Sequence, residues 1–597
     1  MAWRGASGSP CAALHDAIPG TPAATTPSRK KTAPAMDTQR LILFFVFSFS
    51  LLMLWEAWQK ENRPVVQAVS QSATSAVPSA APVASPAVGG TAATVPSASA
   101  IAPAARPETV PGAVAAPASA TREKLRVRTD VLVAEIDSQG GDLVYLEFLD
   151  QKDIVDPKKN LVLLSPAYQY AVQSGLIGIN LPNHRTLFSA QAKSVELADG
   201  QEKAELKLEA TSPDGVKVTK TYVFHRASHL IEIRQDITNG SANPLLSQAY
   251  FQITRDSNSP PGDSAMMQTY TGAAVYTEKE KFQKIAFSDI EKGKAAFPKT
   301  PDNGWIAIIQ HYFTTALLPS QKQREIYMDK LDGNLYRIGV KLPLPVIAPG
   351  TAASVTVPLY SGPNDQDKLM AIAPGLELVV DYGWLTVIAA PLFWVLQLFH
   401  GWVGNWGVAI ILLTLALKLL FYPLSAASYR SMAKMKMVTP RLTKLREQYG
   451  DDRMKLNQAM MEMYKQEKIN PLGGCLPIVV QIPVFISLYW VLLASVELRQ
   501  APFYGWIQDL SAQDPYYVLP VLMMISMVFQ TKMNPVPPDP VQAKVMMIMP
   551  FVFGVMFFFF PAGLVLYWLV NNVLSIAQQY QITRMVEGAK KPTVAKR

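Results

Sequence analysis

Two patterns of apolar and polar positions divide the chain. From about Leu125 to Pro358 the two kinds of residue alternate over short stretches, as in RVRTDVLVAEIDS, GDLVYLEFL, VKVTKTYVFH and HLIEIRQDITNG, with Gly, Asn, Asp or Pro between them. A period of two puts one face of each strand on a core and the other in water, so the region predicts antiparallel strands. One large β-sandwich over 122–362 is the economical architecture. Elsewhere apolar residues run on without alternation, from Leu41 to Trp58 and through most of Val379 to Ile582. Runs of that length call for a lipid solvent.

The first run, LILFFVFSFSLLMLWEAW, covers roughly 27 Å at ~1.5 Å per residue, nearly the hydrocarbon layer. It predicts an N-terminal transmembrane anchor over 36–60, with Trp55 and Trp58 at the interface. A cleaved signal peptide is the alternative, and no small-residue cleavage site follows directly. Residues 1–35 are rich in Ala, Pro, Thr and Gly and are expected to be disordered, or absent if translation starts at Met36. Residues 61–121, dominated by Ala, Val, Pro, Ser and Thr, offer too little apolar area to offset ordering and read as a flexible linker.

After the sandwich, 376–403 is apolar and Trp-rich but interrupted by Asp381, Pro391 and His400. It predicts an amphipathic helix lying in the outer interface. Five spans then fill 405–582: WGVAIILLTLALKLLFYPL, 475–496, 516–531, 545–560 and 564–582. Between Arg430 and Lys468 ten basic residues face five acidic ones, while Glu497 to Pro515 carries one Arg against three acids, and from Arg584 onward five basic residues stand against one Glu. The positive-inside rule therefore puts the first and last of these segments in the cytoplasm and the middle one outside. Both termini are then cytoplasmic, with the sandwich in the periplasm of a Gram-negative cell and 583–597 as a basic cytoplasmic tail. The fold class is a multi-pass α-helical membrane protein: a five-helix core, an N-terminal anchor and a periplasmic sandwich.

Within the first cytoplasmic segment, 426–470 predicts a two-helix hairpin broken at Gly450, with Pro440 kinking or restarting its first helix. Met432, Met435, Met437, Leu442, Leu445, Met460 and Met463 give it Met-rich faces. Such faces suit varied apolar partners, although packing of one helix on the other explains them as well.

The net charge of +9 lies largely beside apolar runs. It fits anionic phospholipids and no specific nucleic acid target. Cys11 and Cys475 are the only cysteines, so no disulfide braces the sandwich. His184, His225, His229 and His311 show no ligand or triad spacing, and no Walker motif is present. Enzymatic chemistry, metals and cofactors are not expected.

Lys418 is the informative residue, about seven residues or ~10 Å from the inner end of an apolar span. A charge at that depth is costly without water or a partner; snorkelling of its long stem is the bland alternative. Other polar groups collect in the same inner half: Thr414 and Ser425 on the first span, Gln481 on the second, Gln530 on the third, and Asn571, Asn572, Ser575 and Gln578 on the last. Facing lipid, they would lose hydration without recompense. They therefore predict a polar, cationic groove open to the cytoplasm and closed outside, against the alternative of interhelical hydrogen bonds in a closed bundle. Polar tails of nascent chains would enter it while their apolar segments leave sideways into lipid. A polar-solute transporter or channel is the rival class, but no inverted repeat is visible. A periplasmic binding protein with helices as a mere anchor does not explain the hairpin.

Several stretches in order carry a resemblance: MDTQRLILFFVFSFSLLMLWEAW, YPLSAASYRSMAKMKM, KINPLGGCLPIVVQIPVF, VELRQAPFYGWIQDLSAQDPYYVLP and FPAGLVLYWLVNN. Across Met36 to Arg597 the chain resembles the YidC branch of the YidC/Oxa/Alb insertase family. The resemblance implies a membrane protein insertase and folding chaperone of the bacterial inner membrane, acting alone or beside the Sec translocon. It implies nascent membrane proteins, the ribosome, and signal recognition particle with its receptor as partners, and a supersandwich-like periplasmic domain. It also suggests Tyr422, Phe485, Met523 or Met524, and Tyr567 as lining of the substrate path. The family's groove cation is usually arginine; here the matching position is Lys418, which keeps the charge and loses the planar fork. Residues 1–35 depart from the family pattern.

Overall fold

A computed structural model describes residues 122–260, 269–450, 452–467, 469, 476–534 and 540–588. The expected anchor at 36–60, the segments 1–35 and 61–121, Cys475 and the tail beyond Gly588 lie outside the described residues.

Between Lys124 and Pro363, eighteen strands form two nine-stranded sheets. Pairing is antiparallel except for Lys124–Arg128 beside Ser194–Glu196. Strand Leu230–Asn239 shows why the alternation folds this way: Ile231, Ile233 and Ile237 are buried while Glu232, Arg234 and Asp236 reach solvent. Its Ile233 stands opposite Tyr222 on one side and Val357 on the other. Leu146, Phe148, Phe251 and Ile338 of the first sheet meet Val218, Ile233 and Val357 of the second in one core. Each such side chain contributes about 1.5–3 kcal/mol by leaving water.

Among the described residues, a seven-residue helix Gln366–Ile372 and two short turns follow the sandwich, and eight longer helices come after them. They are α1 Thr386–Val403, α2 Trp406–Leu420, α3 Tyr422–Tyr449, α4 Arg453–Gln466, α5 Leu476–Ala494, α6 Val518–Met533, α7 Pro540–Phe557 and α8 Ala562–Gly588. Helix α8 packs on α2, α3 and α6; α7 packs on α6; and α1 lies across α2 and α5. Among the described residues, Gly383–Val403 is the one unbroken helix long and apolar enough to cross a membrane, and α2 with α3 passes only as a bent pair. The apolar parts of α5, α6 and α7 are shorter.

Helices α2 and α3 meet at a 67° bend. Pro423, in the first turn of α3, has no N–H for the carbonyl four residues back, so α2 ends at Leu420. The proline expected to kink or restart the helix, Pro440, does not end it: α3 runs through it to Tyr449. In the hairpin that α3 forms with α4, Val438, Met463 and Ile469 make a small core, with Met435, Leu442, Leu445 and Tyr464 packed around it. Met432, Met437 and Met460 are half-buried and Met461 is exposed.

The loop between α5 and α6 closes one end of the bundle. Asn405 caps α2 through Val408 N at 3.0 Å and donates to Pro502 O and Phe503 O. Ala562 N donates to Ala512 O and Gly563 N to Leu510 O, at 2.7 and 2.9 Å. Asp514 accepts from Trp506 Nε1 and Leu519 N, at 2.9 and 2.7 Å.

The same loop docks on the sandwich. Arg499 donates to Gln151 Oε1 and Lys152 O, and His311 Nε2–H donates to Leu493 O at 3.1 Å. Burial pushes His311 from its ordinary 6.5 down to about 4. Burial also pushes Glu497 up to about 7, with Asp365 and Asp367 adding repulsion.

Two outcomes follow from this packing. A Cβ on Gly407 would overlap the Phe503 ring, so Gly407→Ala should lower thermal stability in detergent: overpacking costs roughly 1–3 kcal/mol, against a helix-propensity gain of about 1 kcal/mol. An undocked His311 takes a proton near 6.5 and the docked one only near 4, so proton uptake favours undocking. In a Glu497→Gln background, which removes the opposing carboxyl, docking should weaken as pH falls through that window. His311→Gln should flatten the profile, read by limited proteolysis between sandwich and helices.

Candidate functional site

Thr414 and Lys418 stand one turn apart on α2, and both are buried, at 1% and 7% exposure. Facing them on α8, Tyr567, Asn571 and Ser575 recur at intervals of four, the spacing that stacks side chains on one helix face. Gln481 and Val484 of α5 close the third side. With Leu417, Phe421 and Ser425, all of these but Ser575 line one cavity, in which water centres can occupy about 10 Å³. That is room for about one water molecule.

Hydrogen bonds fix the lining. Lys418 Nζ donates to Ser575 Oγ at 2.6 Å, and Ser575 Oγ donates to Asn571 O at 2.7 Å. Gln481 Nε2 donates to Asn571 Oδ1 at 2.8 Å. Thr414 Oγ1 donates to Ile410 O within its own helix. An ammonium carries three donors, yet Ser575 is the one hydrogen-bond partner of Nζ among the described residues. No carboxylate there pairs with it.

Polar residues also form a second seam. On the neighbouring face of α8, Asn572 Nδ2 donates to Ser526 Oγ at 2.7 Å and Gln579 Nε2 to Asn534 Oδ1 at 3.0 Å. Gln530, one turn from both Ser526 and Asn534, is half-buried on α6. Asn572 and Gln530 thus belong to the α6–α8 contact, away from the cavity lining. Gln578 is half-buried and leaves Oε1 unpartnered, while its neighbour Gln579 is the buried one.

Toward the closed end the lining becomes aromatic. Phe485 stacks on Tyr567 at 6.2 Å and meets Trp568 edge-on at 4.1 Å, and Trp568 continues to Phe557 at 5.2 Å. Met523 is buried beside Ser526, and Met524 packs over Gly554. Tyr422 is placed differently from the expectation: it is 38% exposed and absent from the lining, where Phe421 stands.

The sandwich histidines are apart from one another. His184 Nδ1 meets Tyr250 OH, His225 meets Glu232, and His311 serves the docking contact. Among the described residues no group of three or more His, Cys, Asp or Glu is placed to hold a metal ion.

Apolar helices around a polar, cation-bearing cavity, with a large sandwich docked at one end of the bundle, have the build of an integral membrane protein. Residues 124–395 match the family described as YidC periplasmic domain, and 398–590 the one described as 60Kd inner membrane protein. The membrane protein insertase YidC of Nitrosospira multiformis is 56% identical over 563 residues, 93% of this chain and 98% of its own. That of Dechloromonas aromatica is 54% identical over 559 residues, covering 93% and 99%. A crystal structure of active YidC insertase with the first transmembrane domain resolved aligns with 77% of this chain and 95% of its own, at 17% identity and a TM-score of 0.36. The chain belongs to the YidC family of membrane protein insertases.

Ser575→Ala removes the hydroxyl that faces Lys418 and should lower thermal stability by about 1–3 kcal/mol, the cost of an unmade buried hydrogen bond. Ser575→Thr should retain most of that stability in the same unfolding assay.

Proposed function

We propose that this chain inserts hydrophobic segments of nascent proteins into the bacterial inner membrane and assists their folding, with the Lys418 cavity receiving the polar part of the substrate. The observation that carries this reading is the buried cation, which among the described residues meets a single acceptor, Ser575, for its three donors. A carboxylate or peptide carbonyl entering from the cytoplasm would supply the acceptors. Water displaced from a cavity this small is little, so the tail itself must part α2, α5 and α8.

The charge pattern supports cytoplasmic termini and a periplasmic sandwich. Helices α2, α5, α6, α7 and α8 then act as the five spans, with α1 in the outer interface. Trp384, Trp394 and Trp402, exposed on one side of 383–403, suit that depth. At 16 residues, α6 reaches only ~24 Å, which favours a locally thinned bilayer. A tail held at Lys418 has only the aromatic packing of Phe485, Trp568 and Phe557 and the outer loop still to pass.

Helices α5 and α7 pack on other helices and make no extensive contact with each other among the described residues. Their exposed Val479, Ile482, Ile548 and Val552 offer an apolar route to lipid. Burial of ~20 apolar residues, at roughly 0.8 kcal/mol per CH₂, drives the step without nucleotide hydrolysis. The protein is not an enzyme. Ribosome-bound nascent chains, signal recognition particle and its receptor, the Sec translocon and anionic phospholipids are its proposed partners. Exposed Met454 and Met461 leave the hairpin an apolar surface for incoming segments.

Lys418→Glu should impair insertion of substrates with acidic tails far more than Lys418→Arg, measured by protease protection in reconstituted vesicles. Equal activity of the two variants would remove the charge-based part of the mechanism.

A further inference from the structure

The sandwich carries two groups of exposed apolar side chains, at opposite ends of one sheet. Ile179, Leu246 and Val346 form one group; Ile154 and Val155, in the turn 153–159, form the other. Strand register separates them. Leu143 stands opposite Val172 and Ile177 opposite Gln248, so Leu246 caps the end away from Lys152, and the turn 153–159 continues from the Lys152 end.

That second end is pinned to the helices. Lys152 O accepts from both Arg499 and Gln500 Nε2, and Gln151 Oε1 from Arg499. Arg499 lies five residues beyond the end of α5 at Ala494. The loop it belongs to continues to Phe503, seated on Gly407 at the start of α2, and to the exposed Tyr504 and Trp506. Val155 is three residues from Lys152, within ~10 Å along the chain.

The turn is built to hold its apolar tip outward. Asp153 Oδ1 accepts from Val155 N and Asp156 N at 2.7 and 3.0 Å, and Asp156 Oδ1 from Lys158 N at 3.2 Å. Asp156 also pairs with Lys159 at 3.4 Å. Both carboxylates are engaged within the turn, and Pro157 stiffens it. Val155 is nevertheless 69% exposed, an arrangement without benefit in water. Lys152, Lys158 and Lys159 flank the tip with cations, the combination that suits a lipid headgroup layer.

We infer that the turn 153–159 is a membrane foot of the sandwich: Ile154 and Val155 enter the outer leaflet of the bilayer that the helices span, and the flanking lysines meet its phosphates. This foot and the Arg499 contact together would hold the sandwich at a fixed height above the cavity's sealed end. The inference rests on the reading of α2 and α5–α8 as membrane spans.

The test uses the full chain with Cys11→Ser and Cys475→Ser, reconstituted in vesicles of phosphatidylethanolamine and phosphatidylglycerol. A single environment-sensitive dye is placed through Val155→Cys, Leu246→Cys or Ile548→Cys, and lipids spin-labelled near the headgroup or at mid-chain act as quenchers. The expected result is a blue shift at position 155 with loss of emission to the headgroup-labelled lipid, an aqueous spectrum at 246, and loss of emission to lipid at 548. An aqueous spectrum at 155 with quenching at 548 overturns the foot and leaves the spans standing. Aqueous spectra at both overturn the membrane reading and the foot with it, and equal quenching at 155 and 246 overturns the foot as a local contact.

Discussion

An ammonium group surrounded by apolar helices is the constraint from which the rest of the bundle can be understood. Removing a cation from water costs several kcal/mol even after local relaxation, and Lys418 meets that cost with one hydroxyl, from Ser575. The lining amides are spent partly on each other, Gln481 on Asn571. In the function proposed for this cavity, the polar part of a substrate supplies the acceptors that Ser575 does not.

The two ends of the bundle are built differently around that charge. At the sandwich end, backbone hydrogen bonds between the α5–α6 loop and the start of α8 tie the helices together, and Phe503 fills the space left by Gly407. The aromatic contacts of Phe485, Trp568 and Phe557 occupy the layer below. At the other end, α2 breaks at Phe421 and α3 departs at 67°, so the helices diverge where the basic hairpin begins. In the proposed mechanism this is the side from which polar chain approaches.

Much of this was legible in the sequence because the two solvents impose different periods. Strand Leu230–Asn239 could hardly be misread, with a buried residue at every second place, three of them isoleucine. Lys418 stood out because charge is rare in such a run, Thr414, Asn571 and Ser575 were found by counting depth along each span, and Tyr567 came from the family resemblance. What escaped was set by geometry that spacing does not carry. The bend after Leu420 was not foreseen, although Pro423 was a visible cause. Helix α8 has polar residues on two adjacent faces, and counting depth could not divide them, so Asn572 and Gln530 were grouped with the cavity while Gln579, Ser526 and Asn534 were missed. In the hairpin, Met435, Leu442 and Met463 pack between the two helices, the alternative that the sequence had left open.

The account depends on the cavity being reachable from the cytoplasm and sealed from the periplasm. With both native cysteines replaced by serine, Gln481→Cys places a thiol in the cavity wall, and membrane-impermeant alkylation of inverted and right-side-out vesicles reads access from each side. The account predicts modification in inverted vesicles alone. Modification from the periplasmic side, or from neither side even during substrate insertion, would contradict it.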